Sequence, residues 1–547
     1  MDDANIANHL FRMAGKDLER PGLIESRWSP KGVWLRENTW TFREMRENAW
    51  KAVLWLSDRG IRPGDRVLLM VKPGYELILL CFALFRIAAV PVVMDPGMGL
   101  GKLARAVRHS RPDALVGIVT AVGLSHLMRG AFASLRCRVL VSGKAFRKAL
   151  ELTDAGRSCS FPETHPDDLG AILFTSGSTG APKGVCYAHR MFQAQLTLLR
   201  ERFSIEPGEV DLPLLPVFAL FNPALGMTTV LPHMNPGRPA KVNAARLAAA
   251  IRRHGVTHSF GSPVLWRKVA DHCEREGLRL PSLRRILVAG AAAPTQLYRR
   301  MAGILEQGVM YSPYGATECL PVSLIEGSEV LSQTASASDR GLGVCVGRAL
   351  PGVQVRICPD PDRPDRAGAV GEVGEILVHG PSVTECYDAL PEVTAKTKVW
   401  EAGCCWHRMG DVGYLDAEGR LWFCGRKVEC VSSDGVTFYP ECIEGPFLQD
   451  AKVRRCAMIR WDAGNTHGLP PIALVIEPER ACMPSGRRQR EQEARRLLEG
   501  VLAKGIPTPV RAFYFLSALP VDVRHNAKIH RLALARRLEN KAATVVL

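Results

Sequence analysis

Residues 174–184, Phe-Thr-Ser-Gly-Ser-Thr-Gly-Ala-Pro-Lys-Gly, place four hydroxyls, three glycines and one lysine in eleven positions directly after an apolar run. Glycine lets backbone N–H groups approach anionic oxygens without a Cβ in the way, here at Gly177 and Gly180. Thr175, Ser176, Ser178 and Thr179 add hydroxyl donors, and Lys183 adds a full positive charge. Such a set suits a triphosphate. The spacing differs from that of a P-loop: Gly184 follows Lys183 where that motif needs Ser or Thr for magnesium, and Pro182 stands where its last glycine belongs.

A chain of 547 residues is long enough for about three to four domain-sized units with substantial cores. With 47% hydrophobic and 23% charged residues it reads as a soluble globular protein. The formal net charge of +16, from 71 Lys and Arg against 55 Asp and Glu, favours anionic partners such as nucleotides, CoA or a lipid headgroup surface. The basic residues nevertheless come only in short pairs, such as Arg284-Arg285, Arg299-Arg300, Arg487-Arg488 and Arg536-Arg537. Without a basic tract or an aromatic-rich signature, sequence-specific nucleic-acid binding is not expected.

The 16 cysteines show no C-x-x-C pair and no zinc spacing, and Cys404-Cys405 are adjacent, so reduced thiols and a cytoplasmic location are expected. The start, Met-Asp-Asp-Ala-Asn, is acidic and carries no signal-peptide pattern. Leu77–Met94 is strongly apolar, but Arg86 and Pro91 interrupt it, so a buried helix followed by a strand is expected there and no transmembrane segment.

Strand-like runs alternate with helix-like stretches through the first 350 residues or so, the pattern of an α/β protein. Arg66–Val71 reads as a strand, Leu77–Ile87 as a helix, Ala89–Met94 as a strand, and Arg285–Ala289 as a strand running into Gly290-Ala291-Ala292-Ala293-Pro294. A loop at the carboxyl end of such a strand is where these sheets bind ligands. From Gly341 shorter strand-and-turn segments follow (Val353–Ile357, Gly374–Val378, Leu421–Cys424), implying a β-rich subdomain at about 341–425. After Arg426 a strand at Ile472–Ile476 and a charged helix at Arg487–Val501 predict a small α+β domain.

Four further segments follow the glycine loop in order: Tyr314-Gly315-Ala316-Thr317-Glu318, Met409-Gly410-Asp411-Val412-Gly413-Tyr414, Cys424-Gly425-Arg426 and Arg524-His525-Asn526-Ala527-Lys528. In order and spacing the five resemble the acyl-adenylate-forming superfamily of acyl-CoA synthetases, peptide-synthetase adenylation domains and luciferases. The resemblance implies a large N-terminal adenylation domain of layered sheets and helices (1–425) and a mobile C-terminal domain (426–547) carrying Lys528. It implies ATP and Mg2+ as cofactors. The glycine loop with Lys183 would hold the β- and γ-phosphates, and Glu318 would bind magnesium. Gly290–Pro294, with Gly290, Ala291 and Ala292, and Tyr314 would border adenine. Gly315 and Thr317 belong to the same nucleotide motif, while Asp411, assisted by Arg426, would take the ribose hydroxyls. Lys528 would bridge the substrate carboxylate and the α-phosphate, which makes it catalytic together with Glu318.

A narrower resemblance rests on Asp211-Leu212-Pro213, Phe218 through Gly226, Glu318-Cys319-Leu320-Pro321-Val322 and Val521 through Ile529. These segments look like the β-lactone synthetases of bacterial olefin biosynthesis, which activate a 3-hydroxy acid and let its hydroxyl expel AMP. That implies a 2-alkyl-3-hydroxy fatty acid as substrate, with a thiolase, an α/β-hydrolase and a short-chain reductase as pathway partners. Thioester-forming relatives carry a polar hinge two residues after the Gly-Arg motif, then a Lys-x-x-Gly-x-Arg type loop. Here Val428 holds the hinge, Ser432 replaces the lysine and Thr437 the arginine, with only Gly435 retained. A long-chain acyl-CoA synthetase or acyl-AMP ligase is the enzyme alternative. A degenerate nucleotide-binding scaffold is the non-enzyme one, against which the intact Lys183, Glu318, Asp411 and Lys528 speak.

Phe218, Phe221, Met227 and Phe260 are expected either to line the acyl pocket or to pack the core. His189, just past the glycine loop, is expected to support packing, and Gly341 through Gly347 to be a turn, since neither the spacing nor a leading strand makes it a dinucleotide fingerprint. The general base for the hydroxyl is not identified by any motif.

Overall fold

The apolar run at 77–94 forms the helix Tyr75–Ile87 followed by the strand Val90–Val93. Ten of the thirteen helical residues are buried, and Ala88 ends the helix in a left-handed conformation at φ 60°. The helix is a core element: among the described residues no helix is long and apolar enough to cross a membrane. The structure, a computed structural model, describes residues 4–29, 35–157, 159–175, 181–234, 241–461, 471–522, 528–539 and 543–547.

Val90–Val93 belongs to a six-stranded sheet in the order Cys137–Leu140, Ala114–Gly117, Arg66–Met70, Val90–Val93, Leu169–Thr175, Lys183–Ala188. Neighbours run parallel except the last pair, which is antiparallel. Helix Phe42–Ser57 covers this sheet beside Tyr75–Ile87. It starts at a capping box in which Thr41 Oγ1 accepts from Glu44 N and Glu44 Oε2 accepts from Thr41 N.

A second sheet of 14 strands supplies the other wall. Its parallel part runs through Pro21–Trp28, Thr228–Leu231, Val210–Pro213, His258–Gly261, Arg285–Val288 and Val309–Ala316. Helices Ala244–His254, Pro263–Arg275 and Thr295–Leu305 pack on it around the fully buried Trp266. Beyond Val309–Ala316 every strand is antiparallel to its neighbour. Cys319–Glu326 is followed by Val344–Ala349, Leu421–Arg426, Cys404–Leu415, Gly374–His379 and Gln354–Cys358. The β-rich segment is thus hydrogen-bonded onto the large sheet through the Cys319–Glu326 and Val344–Ala349 pair.

After Arg426 the chain forms the hairpin Val431–Ser433 with Val436–Phe438, then a separate four-stranded sheet. That sheet comprises Val453–Arg460, Ile472–Pro478, Ala512–Phe515 and Val545–Val546. Helix Gly486–Leu502 buries only Ala494, Leu497, Leu498 and Val501, at helical spacing. Helix Arg531–Leu538 covers the opposite face through Leu534 and Leu538.

Candidate active site

The two strands flanking the glycine loop pair antiparallel, with Thr175 directly opposite Lys183. Gly184 is required by packing, since a Cβ there would lie 2.9 Å from Ile172 and 3.0 Å from the Phe174 ring. Ser176, Gly177, Ser178, Thr179 and Gly180 lie outside the described residues.

Lys183 projects toward a residue that no sequence motif singled out. Its Nζ stands 5.5 Å from the ring centroid of Tyr387, and Lys398 Nζ stands 5.8 Å from the same ring. The Tyr387 hydroxyl donates to Glu318 Oε1 at 2.6 Å. Burial and the neighbouring Glu318 carboxylate push the phenol pKa up, so it stays a donor. Glu318 is also held by its backbone: its carbonyl accepts from Thr384 N at 2.9 Å and from Thr384 Oγ1 at 3.1 Å. Lys398, 4% exposed, donates to Thr384 O and, at 3.2 Å, to Thr384 Oγ1. Burial lowers its pKa to about 8. The preceding carbonyl, of Thr317, accepts the Tyr187 hydroxyl. Gly315 lies in the strand Val309–Ala316, at the irregularity in its pairing with Cys319–Glu326, where a Cβ would meet Cys319 O at 2.6 Å.

Among the described residues no donor engages Glu318 Oε2, and no three metal-ligating side chains converge. A single carboxylate with one free oxygen fits Mg2+, which keeps several waters and is completed by substrate phosphates, rather than a metal needing an all-protein cage.

Asp411 lies in the strand Cys404–Leu415, 6% exposed and in register with Arg426 across the ladder. Arg426 Nη1 is 3.2 Å from Asp411 Oδ1, and the Tyr314 hydroxyl donates to Oδ2 at 2.6 Å. Burial raises the Asp411 pKa while Arg426 and the Tyr314 bond oppose it. Tyr314 is raised well above the usual phenol range by burial and by Asp411. Oδ1 receives no hydrogen bond from the described residues, so the pair keeps acceptor capacity for a ligand. Gly290, at φ 93°, opens the segment 290–294 at the carboxyl end of Arg285–Val288, in which Gly290, Ala292 and Pro294 are exposed.

Lys528 reaches this group from the C-terminal segment. Asp522 N donates to Lys528 O at 2.8 Å, and Val521 bridges Ile529, so Lys528 stands at the end of a hairpin whose tip, 523–527, lies outside the described residues. Lys528 keeps an exposed surface, yet the protein mass around it and then the Arg426 guanidinium push its pKa down, against Asp411, Glu429 and Asp522. The sequence-predicted Lys183, Glu318, Tyr314, Asp411, Arg426 and Lys528 therefore come together. Tyr387, Thr384 and Lys398 join them without a motif that could have announced them.

Of the acyl-pocket candidates, Phe218 stacks on Phe260 with centroids 3.9 Å apart, Phe221 is half-buried and Met227 is fully buried. Beside them lies a buried polar knot. Asn222 Nδ2 donates to Asp211 Oδ2 at 2.8 Å and to Thr229 Oγ1 at 3.0 Å, and His258 Nδ1 lies 3.1 Å from Asp211 Oδ1. His189 is 2% exposed and meets the Phe85 ring edge-on, as its packing role requires. In the hairpin after Arg426, Ser432 Oγ and Thr437 Oγ1 hydrogen-bond each other at 2.9 Å across the ladder, and Val428 is 51% exposed.

The AMP-binding enzyme family matches residues 26–388. The chain is 40% identical over 552 residues to an olefin beta-lactone synthetase of Stenotrophomonas maltophilia, covering 97% of both chains. It is 39% identical over 556 residues to one of Xanthomonas campestris pv. campestris, again with 97% of each covered. The solved structure of ATP-bound MatB from Rhodopseudomonas palustris shares the fold, with a TM-score of 0.77 at 19% identity over 98% of this chain and 99% of that one.

Proposed function

The chain belongs to the AMP-binding enzyme family, and from that premise we propose that it is an ATP-dependent β-lactone synthetase acting on a long-chain 2-alkyl-3-hydroxyalkanoic acid. The observation that carries the reading is its end-to-end likeness to two olefin beta-lactone synthetases, 97% of each chain covered. The hairpin after Arg426 supports it: Ser432 and Thr437 satisfy each other and offer no cation to a CoA phosphate.

In this reading residues 1–425 are the adenylation domain, with a β-rich part at about 341–425, and 426–547 form a mobile domain that brings Lys528 in and out. The glycine loop, with Thr175 and Lys183 at its ends, binds the β- and γ-phosphates. The Gly290–Pro294 segment and Tyr314 border adenine, and Asp411 with Arg426 takes the ribose hydroxyls. Glu318, held by Tyr387, would be the protein ligand of Mg2+, whose chemistry is to neutralise phosphate charge. Lys528 stabilises the charge that develops as the substrate carboxylate oxygen attacks the α-phosphorus and pyrophosphate leaves. The 3-hydroxyl oxygen then attacks the acyl carbon, the C–O bond to AMP breaks, and the hydroxyl proton leaves. Ring strain opposes closure, but an intramolecular nucleophile held in place contributes about 7–11 kcal/mol of barrier reduction. The reaction would run in the cytoplasm beside a thiolase, an α/β-hydrolase and a short-chain reductase.

The test incubates a 2-alkyl-3-hydroxy acid and its 3-deoxy analogue with ATP and Mg2+, each with and without CoA, and identifies products by NMR and mass spectrometry. A β-lactone is expected only from the hydroxy acid and independently of CoA. Acyl-CoA from the deoxy acid at comparable turnover would instead establish the acyl-CoA synthetase alternative.

A further inference from the structure

Beside the nucleotide site the strand Lys183–Ala188 meets the segment carrying Tyr387. Val185 bridges Tyr387 in antiparallel sense, and Cys186 N donates to Cys386 O at 3.2 Å, which sets Cys186 directly opposite Cys386. Residues opposed in this way have Cβ atoms about 4.5–5.5 Å apart. A disulfide needs about 3.5–4.5 Å, and this pair, being hydrogen-bonded, stands near the wide end of the cross-strand range, so roughly 1–2 Å of approach is needed to close the bond. Cys386 is exposed, open to an oxidant, and Cys186 is half-buried behind it. The bond donated by Cys186, and then the Lys398 ammonium, hold the Cys386 thiol down to about 7, against burial.

We propose that Cys186 and Cys386 form a reversible dithiol–disulfide site, closed by a peroxide, whose closure slows the nucleotide chemistry by drawing on Tyr387. The Cys386 thiolate attacks a peroxide oxygen, the O–O bond breaks, and a sulfenic acid and water form. The Cys186 sulfur then attacks the sulfenic sulfur, the S–S bond forms, and a second water leaves with the thiol proton. Two electrons pass from the two sulfurs to the peroxide, and a thiol reductant returns them. Cys386 precedes Tyr387, whose hydroxyl holds Glu318, and Cys186 lies three residues past Lys183, so a bond between them pulls on both sides of the phosphate site. The effect on catalysis rests on the function proposed above; bond formation does not.

The experiment treats the full chain with hydrogen peroxide, alkylates free thiols, and maps cross-linked peptides by mass spectrometry. ATP-dependent pyrophosphate release is measured before oxidation, after it and after reduction. The expected product is a Cys186–Cys386 peptide, with release slowed about ten- to a hundredfold, the scale of a 1 Å misplacement, and recovered on reduction. Cys186→Ser and Cys386→Ser should each keep basal activity and lose the response. Free Cys186 and Cys386 peptides after oxidation, a bond between other cysteines such as Cys424 and Cys442, or equal inhibition of Cys386→Ser would overturn the proposal. Absence of release from the untreated protein, with the cross-link present, would instead count against the proposed function.

Discussion

Replacing Arg531 with methionine tests how the Lys528 segment is anchored. Arg531 opens helix Arg531–Leu538, 12% exposed, and its guanidinium gathers three carboxylates. Nε and Nη2 grip Glu444 at 2.7 and 2.6 Å, Nη1 reaches Glu429 at 3.1 Å, and Nη2 reaches Glu441 at 3.2 Å. Glu429 lies in the turn just past Arg426, so this cluster ties the end of the large sheet, helix Pro440–Phe447 and the Lys528 segment together. Burial raises the Glu444 pKa and takes Glu441 up to about 7, with Arg531 opposing both. Methionine keeps the stem and removes the charge, leaving buried carboxylates uncompensated, a loss of about 3–5 kcal/mol. A carboxyl whose folded pKa is raised binds protons that the unfolded chain has released, so the cluster's contribution falls as pH climbs from the ordinary 4.5 through about 7. Without Arg531 that window extends upward. The deficit should therefore be largest near about pH 8 and shrink toward about pH 5.5, where the Glu441 carboxyl is neutral. Hydrogen exchange of peptides spanning 440–447 and 531–538, read by mass spectrometry at both pH values, measures it. A deficit below about 1 kcal/mol, or one equal at the two pH values, would refute the reasoning.

Two further outcomes are expected. Lys528→Ala should abolish substrate-dependent pyrophosphate release while ATP binding, followed by calorimetry, persists. Because the Lys528 pKa is lowered, the wild-type rate should fall with rising pH earlier than an ordinary lysine would dictate, and release by the variant at wild-type rate would remove Lys528 from the mechanism. Tyr387→Phe keeps the ring between Lys183 and Lys398 but deletes the hydroxyl on Glu318, a bond to a charged group worth about 1.5–3 kcal/mol. Binding of Mn2+ with a non-hydrolysable ATP analogue, read by electron paramagnetic resonance, should weaken correspondingly, and an unchanged affinity would show that the hydroxyl does not orient Glu318.

What the sequence determined by itself was local or chemical. Helix Tyr75–Ile87 and strand Val90–Val93 follow from an apolar run cut by turn residues, and Gly486–Leu502 from apolar positions at helical spacing. Lys183, Glu318, Asp411, Arg426 and Lys528 could be picked out along the chain because each sits in a short motif, with residue types that suit a triphosphate, a ribose or a developing charge. Tertiary structure decided everything that depends on which distant segments meet. Val344–Ala349 lies between Cys319–Glu326 and Leu421–Arg426, although a backbone ladder would accept other neighbours. Tyr387 reaches Glu318 across 69 positions, Arg531 reaches Glu444 across 87, and Cys186 meets Cys386 only where the segment of Tyr387 bridges the strand Lys183–Ala188. Such pairs leave no period or spacing along the chain, because a hydrogen bond or ion pair constrains only the two groups that make it. The packing of both sheets around their shared core chooses which groups those are.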